Sequence, residues 1–248
     1  MIDTGAYLPL RLFHSVDEDS LSKYECEGFS HREYFWSPSG YLLPFQSSEV
    51  VANQFKVLEI CSNTLTAVSL PLQTVTAKNG DVLYIYMGGA VDIDDGMYVL
   101  KNGDTYSDPF IIGDTENMIH LKYRNPIYSE EIESWDNENI YWHENLYGEC
   151  YINSSIEKPS YPILEEVRED GAMTQHKVFQ RWEKRHQIRL FGVESMADAL
   201  SLLPTMDEVY INSQRVYNVL VNVEWEDDRE CLAEITITFS VRQLLKTF

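Results

Sequence analysis

The sequence predicts a mainly β fold: an N-terminal β-sandwich-like domain followed by a smaller α+β domain with a long strand, a short helix and a closing hairpin. Short apolar segments separated by turn residues recur between residues 54 and 121, which is typical of sandwiches. After residue 173, apolar and polar residues alternate along strand-length segments that one helical segment interrupts. The predicted divisions are an extended arm or loop (1–45), a β-sandwich-like domain (46–150) and an α+β assembly domain (151–248).

Two Asn-Gly pairs indicate hairpins in the first domain. Asn79-Gly80 and Asn102-Gly103 each lie between apolar segments. Asn-Gly favours a type I′ turn, in which both central residues have positive φ. The sequence therefore predicts antiparallel strands on either side of each pair, Val82–Tyr86 among them.

The second domain is predicted to open with one long strand from about Thr174 to Phe191, which Gly192 ends. A helix over Glu194–Leu203 follows, with one apolar side and Pro204 as its stop. Three further strands are expected at Glu208–Ser213, Val216–Trp225 and Cys231–Val241. The side chains expected to form a common core are Trp182, Ile188, Leu200, Trp225, Ile237 and Phe239.

Alternation places four basic residues on one face of the long strand. These candidate interface residues are Lys177, Arg181, Arg185 and Arg189. A solvated strand face is the simplest interpretation. The alternative hypothesis is an intersubunit contact that meets an acidic neighbour, such as the first domain of another copy.

The chain is strongly acidic, with a net charge of −21. Most of this charge lies in residues 1–149, which contain 8 Lys and Arg against 24 Asp and Glu. A negative field repels phosphates, so direct nucleic-acid binding is not expected. The 16 tyrosines are typical of sheet faces and contact surfaces. No apolar run reaches the roughly 18 residues of a membrane-spanning helix, so membrane insertion is not expected.

No pattern of reactive residues predicts catalysis, a metal site or a cofactor. Asp92 opens a segment similar to a calcium loop, but Gly103 occupies the position where such a loop needs a bidentate Glu. The six histidines do not share metal-ligand spacing, and phosphate-binding and nucleophile motifs are absent from the sequence. Because carboxylates are abundant, a glycosidase-type acid/base pair of carboxylates remains an alternative. The four widely spaced cysteines are expected to be reduced side chains of a protein made in a cytosol.

Five segments stand out in the C-terminal part: Gln180–Arg185, Met196–Pro204, Asp207–Ile211, Val223–Trp225 and Leu232–Phe239. Together they resemble a recurrent pattern in virion structural proteins of tailed phages and prophages of Bacteroidetes, crAss-like phages included. The resemblance covers about residues 150–248 and implies a component of the tail or of the head–tail junction. It implies no active-site residue, because the segments are structural.

The sequence and the resemblance lead to the expectation of a non-enzymatic virion structural protein. It would be a repeated subunit of the tail hub or tip, or of the head–tail connector ring, made in the host cytoplasm and located in the virion. Its partners would be copies of itself and other virion proteins. The alternatives are a carbohydrate-binding or carbohydrate-cleaving tail module, for which exposed Trp135 and Trp142 would be expected, and an adaptor that binds a host protein.

Overall fold

The structure is a computed structural model of the 248-residue chain. It describes residues 8–10, 12–14, 33–47, 50, 54–125, 146–169, 175–225 and 232–241, with the backbone alone described at 13–14, 164–169 and 175–182. In the first half, the strands are β1 (Leu12–His14), β2 (Trp36–Pro38), β3 (Tyr41–Leu42), β4 (Phe45–Ser47), β5 (Phe55–Glu59), β6 (Thr64–Ala67), β7 (Gln73–Thr76), β8 (Val82–Tyr86), β9 (Gly89–Ala90), β10 (Gly96–Asn102), β11 (Thr105–Ser107), β12 (Phe110–Gly113), β13 (Ile119–Arg124) and β14 (Gly148–Ile152).

The second half adds six strands and one short α-helix to the described part of the chain. The elements are β15 (Ile163–Glu169), β16 (Gln175–Trp182), β17 (Arg185–Val193), α1 (Glu194–Ser201), a 3₁₀ turn (Leu203–Thr205), β18 (Glu208–Ile211), β19 (Gln214–Trp225) and β20 (Leu232–Ser240).

Most of these strands belong to one sheet. Its order is β1–β11–β10–β12–β2–β14–β13–β18–β19–β20–β17, with β5 paired to β10 and β6 paired to β5. A smaller sheet, β4–β8–β7, packs against it where the rings of Phe45 and Phe55 lie 5.5 Å apart within one shared core. The mainly β, sandwich-like fold class predicted from the sequence is confirmed.

The large sheet crosses the predicted boundary between the two halves. Strand β14 spans residue 150, and β13 pairs with β18 of the C-terminal half, with Leu121 opposite Ile211. Within the predicted arm, β2 pairs with β12 and β14, and Trp36 is buried. The division into three regions stays a prediction, but one hydrogen-bonded ladder connects them.

The prediction of one long strand from Thr174 to Phe191 is wrong. The segment forms two strands that pair with different neighbours, since β16 pairs with β15 and β17 pairs with β20. The break falls at Glu183 and Lys184. Gly192 lies inside β17 rather than ending it. A Cβ there would lie 3.0 Å from Cβ of Met196 on the helix, so the close contact favours glycine at this position.

The helix forms where it was predicted but ends earlier. Met196, Ala199, Leu200 and Leu203 are all buried, as the apolar side of the pattern predicted. Pro204 does not stop the α-helix, because it lies within the following 3₁₀ turn, where a missing N–H is tolerated.

The predicted C-terminal core is confirmed at four of its six positions and wrong at one. Ile188, Leu200, Ile237 and Phe239 are buried in one cluster. Trp225, the last residue of β19, is 44% exposed. The side chain of the sixth residue, Trp182, lies outside the described part of the structure.

The two Asn-Gly hairpins form, but their turns are not type I′. Only the glycines, Gly80 and Gly103, have positive φ. The turn with positive φ at both central residues lies instead between β18 and β19, at Asn212 and Ser213. This turn also attaches to β13, because Asn212 donates its N–H to the carbonyl of His120 (2.8 Å) and accepts the N–H of His120 on its side-chain oxygen (2.9 Å).

A glycine–tyrosine contact supports the centre of the sheet. Gly148 of β14 lies opposite Tyr123 of β13, whose side chain is fully buried. A Cβ on Gly148 would lie 2.3 Å from Cζ of that ring, so only glycine lets the ring lie flat across the strand.

We predict that Gly148→Ala destabilises the protein by about 1–3 kcal/mol, because the buried ring cannot move aside without strain. Urea unfolding followed by tryptophan fluorescence measures this change. The matched control is Gly89→Ala in β9, where the new Cβ would lie 3.3 Å from the tip of Tyr86. A Gly148→Ala effect no larger than that of the control would contradict the packing argument.

Candidate functional site

The feature that stands apart from the other sheets is a two-stranded ribbon formed by β15 and β16. Seven residue pairs connect the two strands, from Ile163 opposite Trp182 to Glu169 opposite Gln175, with a bulge at Glu166 and Val167. The ribbon forms its own two-stranded sheet, and within the described residues it pairs with no other strand. Both of its outer edges therefore lack a ladder partner there.

The base of the ribbon continues into the edge of the large sheet. Ser160 and Arg185 exchange backbone hydrogen bonds of 2.8 and 3.0 Å, and Ile156 bridges to Ile188 on β17. Between these contacts and the ribbon, Glu183 donates its N–H to the carbonyl of Pro162. The ribbon is thus the free half of a longer hairpin whose other half is fastened to the sheet.

A buried carboxylate fixes this base. Glu183 is 4% exposed, and one of its oxygens accepts hydrogen bonds from Nε (3.0 Å) and Nη2 (2.8 Å) of Arg185. Its other oxygen accepts a hydrogen bond from Nδ2 of Asn218 (2.6 Å), which also lies 3.2 Å from Oγ of Ser240. We call Glu183, Arg185, Asn218 and Ser240 the ribbon anchor.

The anchor depends on a local irregularity in β19. The register with β20 shifts between Tyr217 and Leu220, and Asn218 has a φ of 51°. Asn tolerates this left-handed conformation better than most residues, so its side chain can turn toward Glu183. Burial acts to raise the pKa of Glu183, but the hydrogen bonds from Arg185 and Asn218 outweigh it and hold this pKa below its ordinary value.

The four predicted interface residues do not share one environment. Arg185 belongs to the anchor, and Arg189 lies 3.3 Å from Glu234 and 3.7 Å from Glu157 while staying half exposed. The backbone of Lys177 and Arg181 lies on β16, and their side chains lie outside the described part. The strand that was predicted to carry all four residues is two strands, and their role at an interface stays a prediction.

A second polar cluster lies on one face of β14, β13 and β18. Nε2 of His120 lies 2.7 Å from Glu149, and the His120 ring stacks on Tyr151 with centroids 4.6 Å apart. Tyr41 also lies near enough to Glu149 for the carboxylate charge to act on its hydroxyl. The hydrogen bond from His120 is the main cause that lowers the pKa of Glu149, while burial and the Glu149 charge raise that of Tyr41.

The same face continues with a charged pair. Nε of Arg124 donates to Glu208 at 2.6 Å, and Lys122 and Arg124 both lie over the ring of Tyr147, 4.0 and 4.6 Å from its centroid. The hydrogen bond from Arg124 lowers the pKa of Glu208. Cations and a histidine already cover the rings on this face, so it joins β13 to its neighbours rather than offering open aromatic platforms.

In the described part of the chain, no three His, Cys, Asp or Glu side chains lie close enough together to hold a metal ion. The expectation of four reduced cysteines is wrong at Cys61, which is disulfide-bonded, whereas Cys150 is a free and fully buried thiol. Burial raises the pKa of the Cys150 thiol well above its ordinary value, which makes it unreactive. No helix among the described residues is long and apolar enough to span a membrane.

Sequence reasoning did not identify the anchor. By alternation Glu183 belongs to the same face as the four basic residues, for which a solvated face is the simplest interpretation, yet it is buried. The signal that could have indicated a break is the charged run Glu183-Lys184-Arg185 between two apolar-patterned segments. Asn218 gave no signal, because its role depends on a bulge that only strand pairing defines.

Comparison with known proteins adds no relative: neither a protein-family model, nor a curated protein, nor a solved structure matches this chain.

We predict that Arg185→Ala destabilises the protein by about 2–4 kcal/mol, because it leaves the buried Glu183 without its main partner. Arg189→Ala is the matched control on the same strand. It should cost about 0–1 kcal/mol, since its pairs are exposed. Urea unfolding measures both free energies. Equal effects would mean that Glu183 is solvated and that the anchor does not hold the ribbon.

The anchor also predicts a dependence on pH. The pKa of Glu183 is lowered in the folded state, so its contribution is present above the ordinary value near 4.5 and is lost as the pH falls through the folded value. The free energy of unfolding should therefore fall below pH 5, and this slope should be shallower in Glu183→Gln. Glu157→Gln, at an exposed pair, should keep the parental slope. Parallel curves for all three proteins would refute this assignment.

Proposed function

We propose that this chain is a non-enzymatic structural protein of a tailed-phage virion, a repeated subunit of the tail hub or tip or of the head–tail connector ring. The observation that carries the proposal is the ribbon of β15 and β16. Among the described residues it forms a sheet of its own, and a buried ion pair holds its base. A feature of this kind is suited to contacts with another protein.

The low stability of an isolated hairpin supports this interpretation of the ribbon. An isolated two-stranded hairpin is marginally stable in water, and its unpaired edges invite pairing with other strands. The chain retains two strands, Ile163–Glu169 and Gln175–Trp182, in such an arrangement. Contact with a neighbouring subunit would give these strands the backbone partners that the described part of their own chain does not.

The segments that resemble virion proteins form the part of the structure that holds the ribbon. Gln180–Arg185 forms the junction between the ribbon and β17, and Met196–Pro204 contributes to α1 and the 3₁₀ turn. The remaining segments contribute to β18, β19 and β20, the part of the sheet to which the ribbon is attached. On this proposal, their role is to hold the ribbon in one direction.

Composition fits assembly from copies and other virion proteins. The front part carries most of the net charge of −21, whereas β16 contains Lys177 and Arg181 and no acidic residue. Opposite charges set the register and the rate of association more than its strength. The proposal places the protein in the virion after synthesis in the host cytoplasm, without a cofactor.

The face of β14, β13 and β18 favours a second candidate, a carbohydrate-binding or carbohydrate-cleaving tail module. It combines Tyr147 and Tyr151 with the carboxylates of Glu149 and Glu208. Those rings and carboxylates already have partners in the chain, which weakens this candidate. Trp135 and Trp142, on which the sequence argument depended, lie outside the described residues. The adaptor for a host protein stays a further alternative.

We predict that removing the ribbon blocks incorporation into particles without unfolding the body. Residues 164–181 are replaced by Asn-Gly, a two-residue turn that connects the opposed Ile163 and Trp182. The far-UV circular dichroism should keep its β signature, and the free energy of unfolding should change by no more than about 1 kcal/mol. Mass spectrometry of purified virions measures incorporation of the tagged variant.

The matched control replaces only residues 170–174 with Asn-Gly. It keeps both ribbon strands, because β15 ends at Glu169 and β16 begins at Gln175. It should be incorporated like the parent. Normal incorporation of the protein without its ribbon would refute the assembly role. Binding of the full chain to host surface glycans, lost in Glu149→Gln, would favour the carbohydrate-binding candidate instead.

A further inference from the structure

The first half contains an edge strand without the usual protection against pairing. Strand β6 pairs with β5 on one side, and among the described residues no strand pairs with its other side. All four of its side chains are exposed, and Leu65 is 48% exposed. Natural edge strands are normally protected by charges, prolines or bulges. β6 has none of these within Thr64–Ala67.

This strand lies in an uncharged stretch of an acidic chain. No Asp, Glu, Lys or Arg occurs between Glu59 and Lys78, although 24% of the chain is charged. A second copy can approach this stretch without bringing like charges together. The stretch is therefore suited to contact between two strongly negative molecules.

The backbone groups that face outward can be assigned from the ladder. Val68 donates its N–H to the carbonyl of Phe55 (3.0 Å), which makes these two residues a hydrogen-bonded pair. Because such pairs alternate in an antiparallel ladder, Thr66 and Thr64 direct their backbone groups to β5. Leu65 and Ala67 direct their N–H and C=O groups to the free edge.

We infer that the free edge of β6 receives strand β16 from the ribbon of a second copy, which extends the sheet across the subunit boundary. This inference rests on the proposed function and names the acceptor of the ribbon. A strand edge recognises another strand through its backbone. β16 supplies an edge that its own described chain leaves unpaired.

Charge selects β16 rather than β15. β16 contains Lys177 and Arg181 and no acidic residue, so the acidic front part of the next copy attracts it. β15 contains Glu165, Glu166 and Glu169, which the same front part repels. The contact joins two different surfaces, so repeating it gives a ring when the rotation closes.

The contact is weak when it acts alone. β6 offers four residues, and a backbone hydrogen bond changes an association constant by about tenfold at most. A dilute monomer is therefore expected, with assembly at the high local concentrations of a growing particle.

The test places a benzophenone amino acid at position 65 of the full-length protein and irradiates it at about 1 mM, a concentration suited to weak contacts. The expected product is a covalent dimer in which position 65 is joined to the peptide 175–182. The control carries the same group at position 74 of β7, the edge of the smaller sheet, and should give no such product. Absence of dimers from position 65, or joining to any other segment, overturns the inference.

A proline pair tests the backbone part of the contact. Ala67→Pro removes an N–H that faces the free edge and leaves the ladder to β5 intact. Thr74→Pro does the same at the free edge of β7, because Ala77 donates to Asp81 and sets the alternation there. Ala67→Pro should lower the yield of dimers cross-linked from position 65 about fivefold, equivalent to about 1 kcal/mol, and Thr74→Pro should not. Equal losses overturn the inference.

The proposed virion role and the proposed β6 acceptor can be refuted independently of each other. If deletion of the ribbon blocks incorporation while no crosslink forms between position 65 and residues 175–182, the virion role stands and β6 is not the acceptor. If the protein without its ribbon is incorporated normally, the assembly role of the ribbon itself is refuted.

Discussion

The structure depends on the antiparallel pairing of β13 with β18, which joins the first half of the chain to the last. The pairing places Leu121 beside Ile211, and both side chains are fully or almost fully buried. The exchange between Asn212 and His120 and the pair of Arg124 with Glu208 reinforce it at its two ends. Because this central ladder aligns strands on both sides, the main hydrophobic cluster contains residues of both halves, from Leu10 to Phe239.

A second constraint acts at the far edge of the same sheet. The carboxylate of Glu183 is too costly to bury without partners, so Arg185 and Asn218 must lie beside it. Their positions are fixed by β17 and by the bulge in β19. The burial of one charge therefore sets the place where the hairpin leaves the sheet and the ribbon begins.

The proposed assembly uses the strand edges that have no ladder partner in the described part of the chain. The core satisfies the strands at the centre of the sheet, whereas β6 and the ribbon keep an edge without a ladder partner among the described residues. The net charge of −21 opposes random association. An uncharged edge and a strand with only basic charges are the surfaces on which this repulsion is smallest.

The sequence by itself determined the mainly β class, the helix and the burial of Ile188, Leu200, Ile237 and Phe239, because periodicity reports which side of an element faces the core. It did not determine the break at Glu183, the exposure of Trp225 or the turn at Asn212 and Ser213. Alternation of residues is unchanged when a strand exchanges one partner for another, so the split between β16 and β17 was marked only by the charged run Glu183-Lys184-Arg185. Only the tertiary structure decided which strands pair, and pairing decided that a charge was buried and a tryptophan was not.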